Sequence, residues 1–226
     1  MADLAVILGA TGGLGTAIVD AFATRGDRVI AVARSRSGVS QLESRYPGLV
    51  SGDTADLTSR FAVDELWERI DRIGVPRWVV NATGGFRAGK VAESTPDDFS
   101  FVMDLNLGTA WWSCRAAARR MRGGGIVNVS SRSALSAEPG AAAYAVAKAG
   151  VIKLTEVLAA ELNASDIRVN AVVPAIIDTP ANRQALPEKL IAKAVAPAEI
   201  AAVIAYLCSD ASRAITGVAI PVYGRY

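Results

Sequence analysis

Histidine is absent from the 226-residue chain. Its absence excludes every histidine-dependent nucleophilic triad and every zinc site that needs imidazole, so any general acid or base must be another residue type. Cysteine is scarce. Cys114 and Cys208 stand far apart between apolar neighbours, which fits buried free thiols in a reducing compartment better than a disulfide or a metal site. A basic run interleaved with aromatics is also missing. The net charge is +2, with Lys and Arg dispersed, and a nucleic-acid partner would find no electrostatic footprint. No apolar run reaches the about 20 residues that cross a bilayer. The opening MADLAVILGATGG lacks a basic n-region and meets glycine early, so it reads as a buried strand rather than a leader. The expected location is cytoplasmic, with no membrane partner.

What remains is the composition of a well-buried protein. With 51% hydrophobic and 20% charged residues, and neither repeat nor linker, residues 1–226 read as one domain.

The order of elements gives the fold class. Leu4 to Leu8 is a short continuous apolar run, the pattern of a parallel strand covered on both faces. GATGGLG follows, and Leu14 to Arg25 then carries helical spacing through Leu14, Ile18 and Phe22 before stopping at Gly26. Strands are predicted at Arg28–Ala33, Gly48–Gly52, Trp78–Asn81, Ile126–Val129, Arg168–Val173 and Val218–Val222. Helices fall between them. One runs from Thr58 to Ile73, with Phe61, Leu66, Ile70 and Ile73 as its apolar positions. Thr95-Pro96-Asp97-Asp98 reads as a cap, a first-turn proline and two acids, opening a long helix to about Met121. Ala141 to Leu162 is a second long helix, rich in alanine and suited to close packing against another helix. A last helix spans Ala198 to Cys208. About seven strands in βαβ succession, joined by right-handed crossovers, make a doubly wound parallel sheet with helices on both faces.

Three glycines, Gly9, Gly13 and Gly15, lie between a strand and a helix. Such a loop turns tightly, lets backbone approach a pyrophosphate and seats it on the helix N-terminus. At the end of the second strand the chain reads Ala33-Arg34-Ser35-Arg36. No carboxylate is available there for a ribose 2′-hydroxyl, and Arg34 and Arg36 favour NADP(H) over NAD(H).

The other chemical stretch is SRSALSAEPGAAAYAVAK. Residues four apart on a helix share a face, so Tyr144 and Lys148 present a hydroxyl and an ammonium to one cleft, and Ser131 arrives from the end of the fifth strand. A nearby cation is expected to pull the tyrosine below its ordinary value of about 10, making it an acid and base near neutrality.

These residues resemble those of the short-chain dehydrogenase/reductase family, over essentially the whole chain. The family's glycine motif matches Gly9, Gly13 and Gly15 and places Thr11 and Leu14 beside the cofactor. Its adenine-contacting acid corresponds to Asp56, followed by Leu57. Its Asn-Asn-Ala-Gly motif falls on Asn81, Ala82, Thr83 and Gly84, its helix asparagine on Asn106, and its active-site Ser, Tyr and Lys on Ser131, Tyr144 and Lys148. Its proline loop matches Pro174 to Thr179, where Ile177 and Thr179 would hold the nicotinamide carboxamide. The resemblance implies a Rossmann-type domain in which hydride passes to a carbonyl carbon while Tyr144 protonates its oxygen. Ser131 would orient that oxygen, Lys148 would also hold the ribose hydroxyls, and Asn106 would keep a water that connects Lys148 to solvent. Departures are Ala82, Thr83 and Ala175 beside the cofactor, and the ending Val222-Tyr223-Gly224-Arg225-Tyr226, where the family often has Val-Asp-Gly-Gly at a subunit contact. The family and the alanine-rich helix together imply a homodimer or homotetramer through the two long helices.

Substrate identity stays open. A 3-oxoacyl-carrier-protein reductase is the nearest general pattern, acting on a small carbonyl or alcohol. The Thr83–Phe86 and Asp178–Arg183 stretches, followed by Pro187, resemble dihydropteridine reductases, which reduce a quinonoid pterin and generally lack the serine. A non-catalytic NADP(H)-binding sensor is the remaining alternative. Phe86, Trp111, Trp112 and Arg183 are candidates for the pocket lining.

Overall fold

A computed structural model describes residues 2–225. Met1, at the start of the apolar opening, and Tyr226, at the end of the atypical terminus, lie outside the described residues. Strands and helices alternate as β1 (Leu4–Leu8), α1 (Gly13–Arg25), β2 (Arg28–Ala33), α2 (Arg36–Arg45), β3 (Val50–Thr54), α3 (Arg60–Asp71) and β4 (Trp78–Asn81). The second half continues with α4 (Pro96–Met103), α5 (Thr109–Ala118), β5 (Gly124–Val129), α6 (Ala142–Leu162), β6 (Ile167–Pro174), α7 (Pro180–Ala185), α8 (Glu188–Ile191), α9 (Pro197–Leu207) and β7 (Ala219–Val222).

The strands form one seven-stranded sheet in the order β3-β2-β1-β4-β5-β6-β7, parallel throughout. Because successive side chains of a strand point to opposite faces, β1 divides itself between two cores. Ala5 and Ile7 pack with Ile18 and Phe22 of α1 and Ile200 and Ile204 of α9. Leu4, Val6 and Leu8 pack on the other face with Leu66 and Trp67 of α3 and Cys114 and Ala117 of α5. Both faces are sealed, which is why the strand sequences are continuous apolar runs. Each fully buried large side chain, such as Phe22 or Ile204, stabilises this arrangement by about 1.5–3 kcal/mol relative to exposure.

Chain order reverses between β1 and β4, and this switch point opens a crevice at their carboxyl ends. Leu8 lies opposite Asn81 in the register, so the glycine loop after β1 and the Ala82–Gly84 segment after β4 emerge side by side.

Two expectations need correction. The buried stripe of α3 is Val63, Leu66, Trp67 and Ile70, whose spacings of three and four lie on one helical face. Phe61 is off that stripe, 68% exposed, with the Arg60 guanidinium over its ring at 4.4 Å. The long helix expected up to Met121 is helical without a break but ends at Ala118 and is not regular: α4 and α5 are joined by a π-helical turn over Asp104–Gly108. Its start does follow the sequence signal, since Thr95 and Asp98 form a capping box with Pro96 in the first turn.

Candidate active site

The glycine loop is shaped by backbone crowding. Gly9 has φ +84°, and a Cβ there would lie 2.9 Å from the Ala82 carbonyl carbon and the Thr83 nitrogen. A Cβ on Gly15 would lie 2.0 Å from the Gly9 carbonyl oxygen. Only bare backbone fits this crossing. Gly12 precedes α1 with no side-chain cap, and no acidic residue occupies the first turn. The N–H groups and positive dipole end of a 13-residue helix therefore face the crevice without a competing anion.

A cleft of about 790 Å³ runs from this loop past Thr11, Arg34, Asp56, Leu57, Thr83 and Leu105. Asp56 accepts hydrogen bonds from the Thr58 hydroxyl (2.7 Å) and backbone N–H (3.0 Å). Those bonds, with the charge of Arg34 nearby, hold its carboxyl below the usual carboxylate range. Arg36 is not brought to the cleft. Its guanidinium pairs with Glu43 at 2.7 Å and donates to the Gly52 carbonyl at 2.9 Å, because helix α2 turns it toward β3. Leu14 buries its side chain in the core with Ile18 and Phe22 while still bordering the smaller pocket described next.

That adjoining pocket, about 230 Å³, is where the polar residues of α6 meet the loops. Ser131 follows β5 and caps a short turn, its oxygen accepting from the Ser133 N–H at 3.3 Å. Tyr144 lies in the first turn of α6 and Lys148 in the next. Lys148 is 3% exposed. Its ammonium donates to the Val129 carbonyl at 2.9 Å and stands 5.8 Å from the Tyr144 ring centroid. Asn106 occupies the π-helical turn, donating from its amide to the Gly85 and Val102 carbonyls (2.8 and 2.9 Å) and accepting from the Gly85 N–H (3.2 Å). Asn106 and Lys148 converge at Gly84, where a Cβ would lie 2.8 Å from one and 3.1 Å from the other.

Pro174, Ile177 and Thr179 close the far side of this pocket. Thr179 caps α7 by accepting from the Asn182 N–H, and its methyl group stands 2.6 Å from where a Gly13 Cβ would be. Asn81 borders neither cavity. Its amide bonds Asn128 (2.6 Å) and Cys114 (3.3 Å), and Asn128 in turn donates to Thr155 (2.9 Å). It ties β4 to β5 and α6 under the site. Trp111 and Trp112 also lie outside both cavities. Arg183 is held by Asp178 at 2.5 and 2.7 Å, whereas Phe86 packs edge-on against Tyr144 with centroids 5.3 Å apart.

The expected lowering of Tyr144 by Lys148 is not what the structure gives. Burial pushes the phenol up, the Ser131 hydroxyl pulls it down, and the Glu138 carboxylate pushes it up again. Lys148 turns its ammonium to Val129 instead, and burial pushes that ammonium down to about 8. Both thiols are buried and inert, pushed up to about 12.

A buried cation has a measurable cost. Lys148 keeps its proton up to its ordinary 10.5 when unfolded but only to about 8 when folded. The unfolded chain therefore binds more protons between those values, and the contribution of Lys148 to stability rises with pH across that window. Urea unfolding of the wild type and Lys148→Met should show the wild type gaining on the variant from pH 8 to 10.5; a constant difference would refute the depression.

Sequence reasoning overlooked Ser130, Ser133, Glu138, Asn128 and Asn182. Ser130 donates to the Lys148 carbonyl at 2.8 Å, and its place beside Ser131 at the strand end was the available signal. Asn182 donates to the Ile177 carbonyl at 2.8 Å and lines the smaller pocket.

The glycine crossing and the Ser131, Tyr144 and Lys148 cluster are accompanied by similarity along the whole chain. Residues 9–224 match the family model described as enoyl-(acyl carrier protein) reductase. A D-threitol dehydrogenase of Mycolicibacterium smegmatis is 32% identical over 242 residues, covering 99% of this chain and 92% of the relative. A 3-oxoacyl-(acyl-carrier-protein) reductase of Thermotoga maritima is 34% identical over 235 residues, covering 97% and 95%. An uncharacterized short-chain type dehydrogenase/reductase of Sinorhizobium fredii is 34% identical, covering 97% of this chain and 42% of its own. The chain belongs to the short-chain dehydrogenase/reductase family. As a member it is an NAD(P)-dependent oxidoreductase acting on CH–OH and C=O groups, built on a single Rossmann-type parallel sheet.

The crevice residues fit a dinucleotide. The uncapped α1 N-terminus suits a pyrophosphate, and the Thr83 hydroxyl is buried without a partner among the described residues. A polar ligand laid across Gly9 and Thr83 would satisfy it.

Proposed function

We propose that this chain interconverts a small carbonyl compound and its secondary alcohol using NADP(H), with Tyr144 as the general acid and base. The observation that carries the reading is the convergence of Ser131, Tyr144 and Lys148 on a pocket that adjoins the glycine crossing, with Asn106 meeting Lys148 at Gly84 in its wall. When bound, the nicotinamide supplies or accepts the hydride. Gly9, Thr11, Gly13, Gly15, Thr83 and Thr179 hold the dinucleotide, and the Ala82–Gly84 and Pro174–Thr179 loops flank its reactive end.

Ser131 orients the substrate oxygen by hydrogen bonding, and Tyr144 gives or takes the proton at that oxygen. The phenol, pushed above its ordinary value by burial, is protonated at neutral pH and ready to donate. Lys148, 5.8 Å from the Tyr144 ring centroid, lines the pocket where it can hold the ribose hydroxyls, and Asn106 holds the Gly85 backbone beside it. Ser131 favours carbonyl chemistry over the quinonoid-pterin alternative. The full polar cluster favours turnover over a sensor. Oxidation of NADPH against ketones, acetoacetyl thioesters, quinones and quinonoid pterin tests this: a ketone or thioester should be reduced, whereas silence across the panel despite tight NADPH binding would overturn the reading.

The NADP(H) preference rests on Arg34, which reaches the cleft beside Asp56. A charge-assisted bond to a 2′-phosphate contributes about 1.5–3 kcal/mol, so Arg34→Asp should weaken NADPH relative to NADH by about tenfold or more. Unchanged relative KM values would refute the assignment. Trp111 on α5 and Val146 and Val157 on α6 stay exposed, which supports a homodimer or homotetramer through these helices; a solution mass of one chain would exclude it. The buried free thiols suit the cytoplasm.

A further inference from the structure

Phe86 is a large apolar side chain left 60% exposed at the wall of the smaller pocket. A lone surface aromatic is ordinary, but this one is held in place from both sides. The preceding Gly85 donates its N–H to the Asn106 amide oxygen at 3.2 Å, and its carbonyl accepts from the Asn106 amide nitrogen at 2.8 Å. The following Arg87 pairs with Asp98 at 2.6 Å and lies over the Phe101 ring at 4.1 Å. Further along, the Gly89 N–H donates to the Gly140 carbonyl at 2.8 Å, just ahead of the helix that carries Tyr144. The Phe86 ring is thereby presented edge-on to Tyr144, with centroids 5.3 Å apart.

Charge beside the same pocket is already committed. Each cation that follows a pocket residue in the chain faces a carboxylate: Arg87, after Phe86, meets Asp98; Arg132, after Ser131, meets Glu138 at 3.8 Å; and Arg183, after Asn182, meets Asp178 at 2.5 and 2.7 Å. Among the described residues that line the pocket, Lys148 alone has a charged side chain, and its ammonium donates to the Val129 carbonyl. An anionic substituent entering here would lose water without gaining an uncommitted cation, which is unfavourable. An apolar substituent would instead cover the Phe86 ring and be stabilised by that burial. A flat aromatic one gains more, because offset and edge-on ring pairs contribute beyond their buried area.

We propose that Phe86 is a specificity-determining residue, and that the substrate carries an uncharged aromatic substituent on its carbonyl carbon, seated against the Phe86 ring while the oxygen meets Ser131 and Tyr144. The pocket of about 230 Å³ also takes the reactive end of the cofactor, so the substituent lies outward, where Phe86 is exposed. The proposal rests on the carbonyl-reducing reading of this site and names the substrate class that the reading leaves open.

Initial rates with NADPH test it on two matched pairs. Acetophenone and cyclohexyl methyl ketone share a carbon skeleton and differ in aromaticity; benzoylformate and its methyl ester differ in charge. Comparing each ketone between wild type and variant removes its own reactivity from the result. In Phe86→Leu, kcat/KM for acetophenone should fall about fivefold, mainly through KM, and that for cyclohexyl methyl ketone by clearly less. Phe86→Tyr keeps the ring and should retain the wild-type preference. The methyl ester should have a KM at least about tenfold below that of benzoylformate. An equal fall for both ketones in Phe86→Leu would show that Phe86 only supports the Tyr144 ring, and would overturn the proposal. No fall for either ketone, or benzoylformate matching its ester, would overturn it as well. A wild type that reduces other carbonyls but not acetophenone would sink this proposal alone, whereas silence toward every carbonyl would sink the reading beneath it.

Discussion

Tyr144→Phe is expected to lose at least about 10²-fold in turnover, the lower end of what a positioned acid contributes, while NADPH binding stays near the wild-type level. Phenylalanine keeps the ring that packs edge-on against Phe86 at 5.3 Å, so the variant removes one oxygen without opening a cavity. Among the described residues the Tyr144 hydroxyl pairs with the Ser131 side chain rather than with a strand, and the α1 N-terminus, Thr83 and Thr179 are untouched. Single-turnover reduction with the best carbonyl of the panel, and NADPH titration by fluorescence, read the two effects separately. Near-normal turnover would remove Tyr144 from the mechanism. Equal loss of turnover and cofactor affinity would show that the ring is structural.

Gly15→Ala should be the most damaging change in the nucleotide loop. The new methyl group would sit 2.0 Å from the Gly9 carbonyl oxygen and 2.9 Å from Ala10 backbone atoms, and no side chain can rotate away to admit it. The start of α1 must separate from the loop, at a cost of roughly 1–3 kcal/mol or more in stability. Gly12→Ala is the control. Its methyl group would meet the Gly9 oxygen at an ordinary 3.4 Å, and Gly12 already has an extended backbone at φ −70°. Thermal unfolding should show a lowered midpoint for Gly15→Ala alone, with NADPH affinity falling in the same variant. Equal behaviour of the two would mean that the crossing is not as tight as described.

Much of the fold was legible because parallel strands covered on both faces must be apolar throughout. The runs at Leu4–Leu8, Arg28–Ala33 and Trp78–Asn81 coincide with β1, β2 and β4. The cap at Thr95 was legible for a similar reason, since its chemistry is local. Phe61 misled because hydrophobicity alone does not say which face of a helix points inward; Val63 and Trp67 decide that for α3. Arg34 and Arg36 look equivalent in sequence, and only the turn into α2 sends one to the cleft and the other to Glu43. The polarity around Tyr144 was the least legible part. A spacing of four residues puts Lys148 on the same side of α6 but cannot tell that its ammonium bonds Val129, or that Glu138 lies across Ser133. Contacts between loops carry no periodic signal.

The π-helical turn over Asp104–Gly108 makes chain length itself a determinant of the site. The Asn106 amide occupies the Val102 carbonyl that a regular α-helix would give to the backbone N–H of Asn106. An extra residue is thereby absorbed between α4 and α5. Each residue of an α-helix advances the chain by about 100° of rotation. Removing a residue from regular helix would swing everything beyond it by that angle, whereas removing the one absorbed here would leave Cys114 and Ala117 facing the core. What would be lost is the wide turn that frees the Asn106 amide for the Gly85 and Val102 carbonyls. The core could thus tolerate a deletion that the site could not.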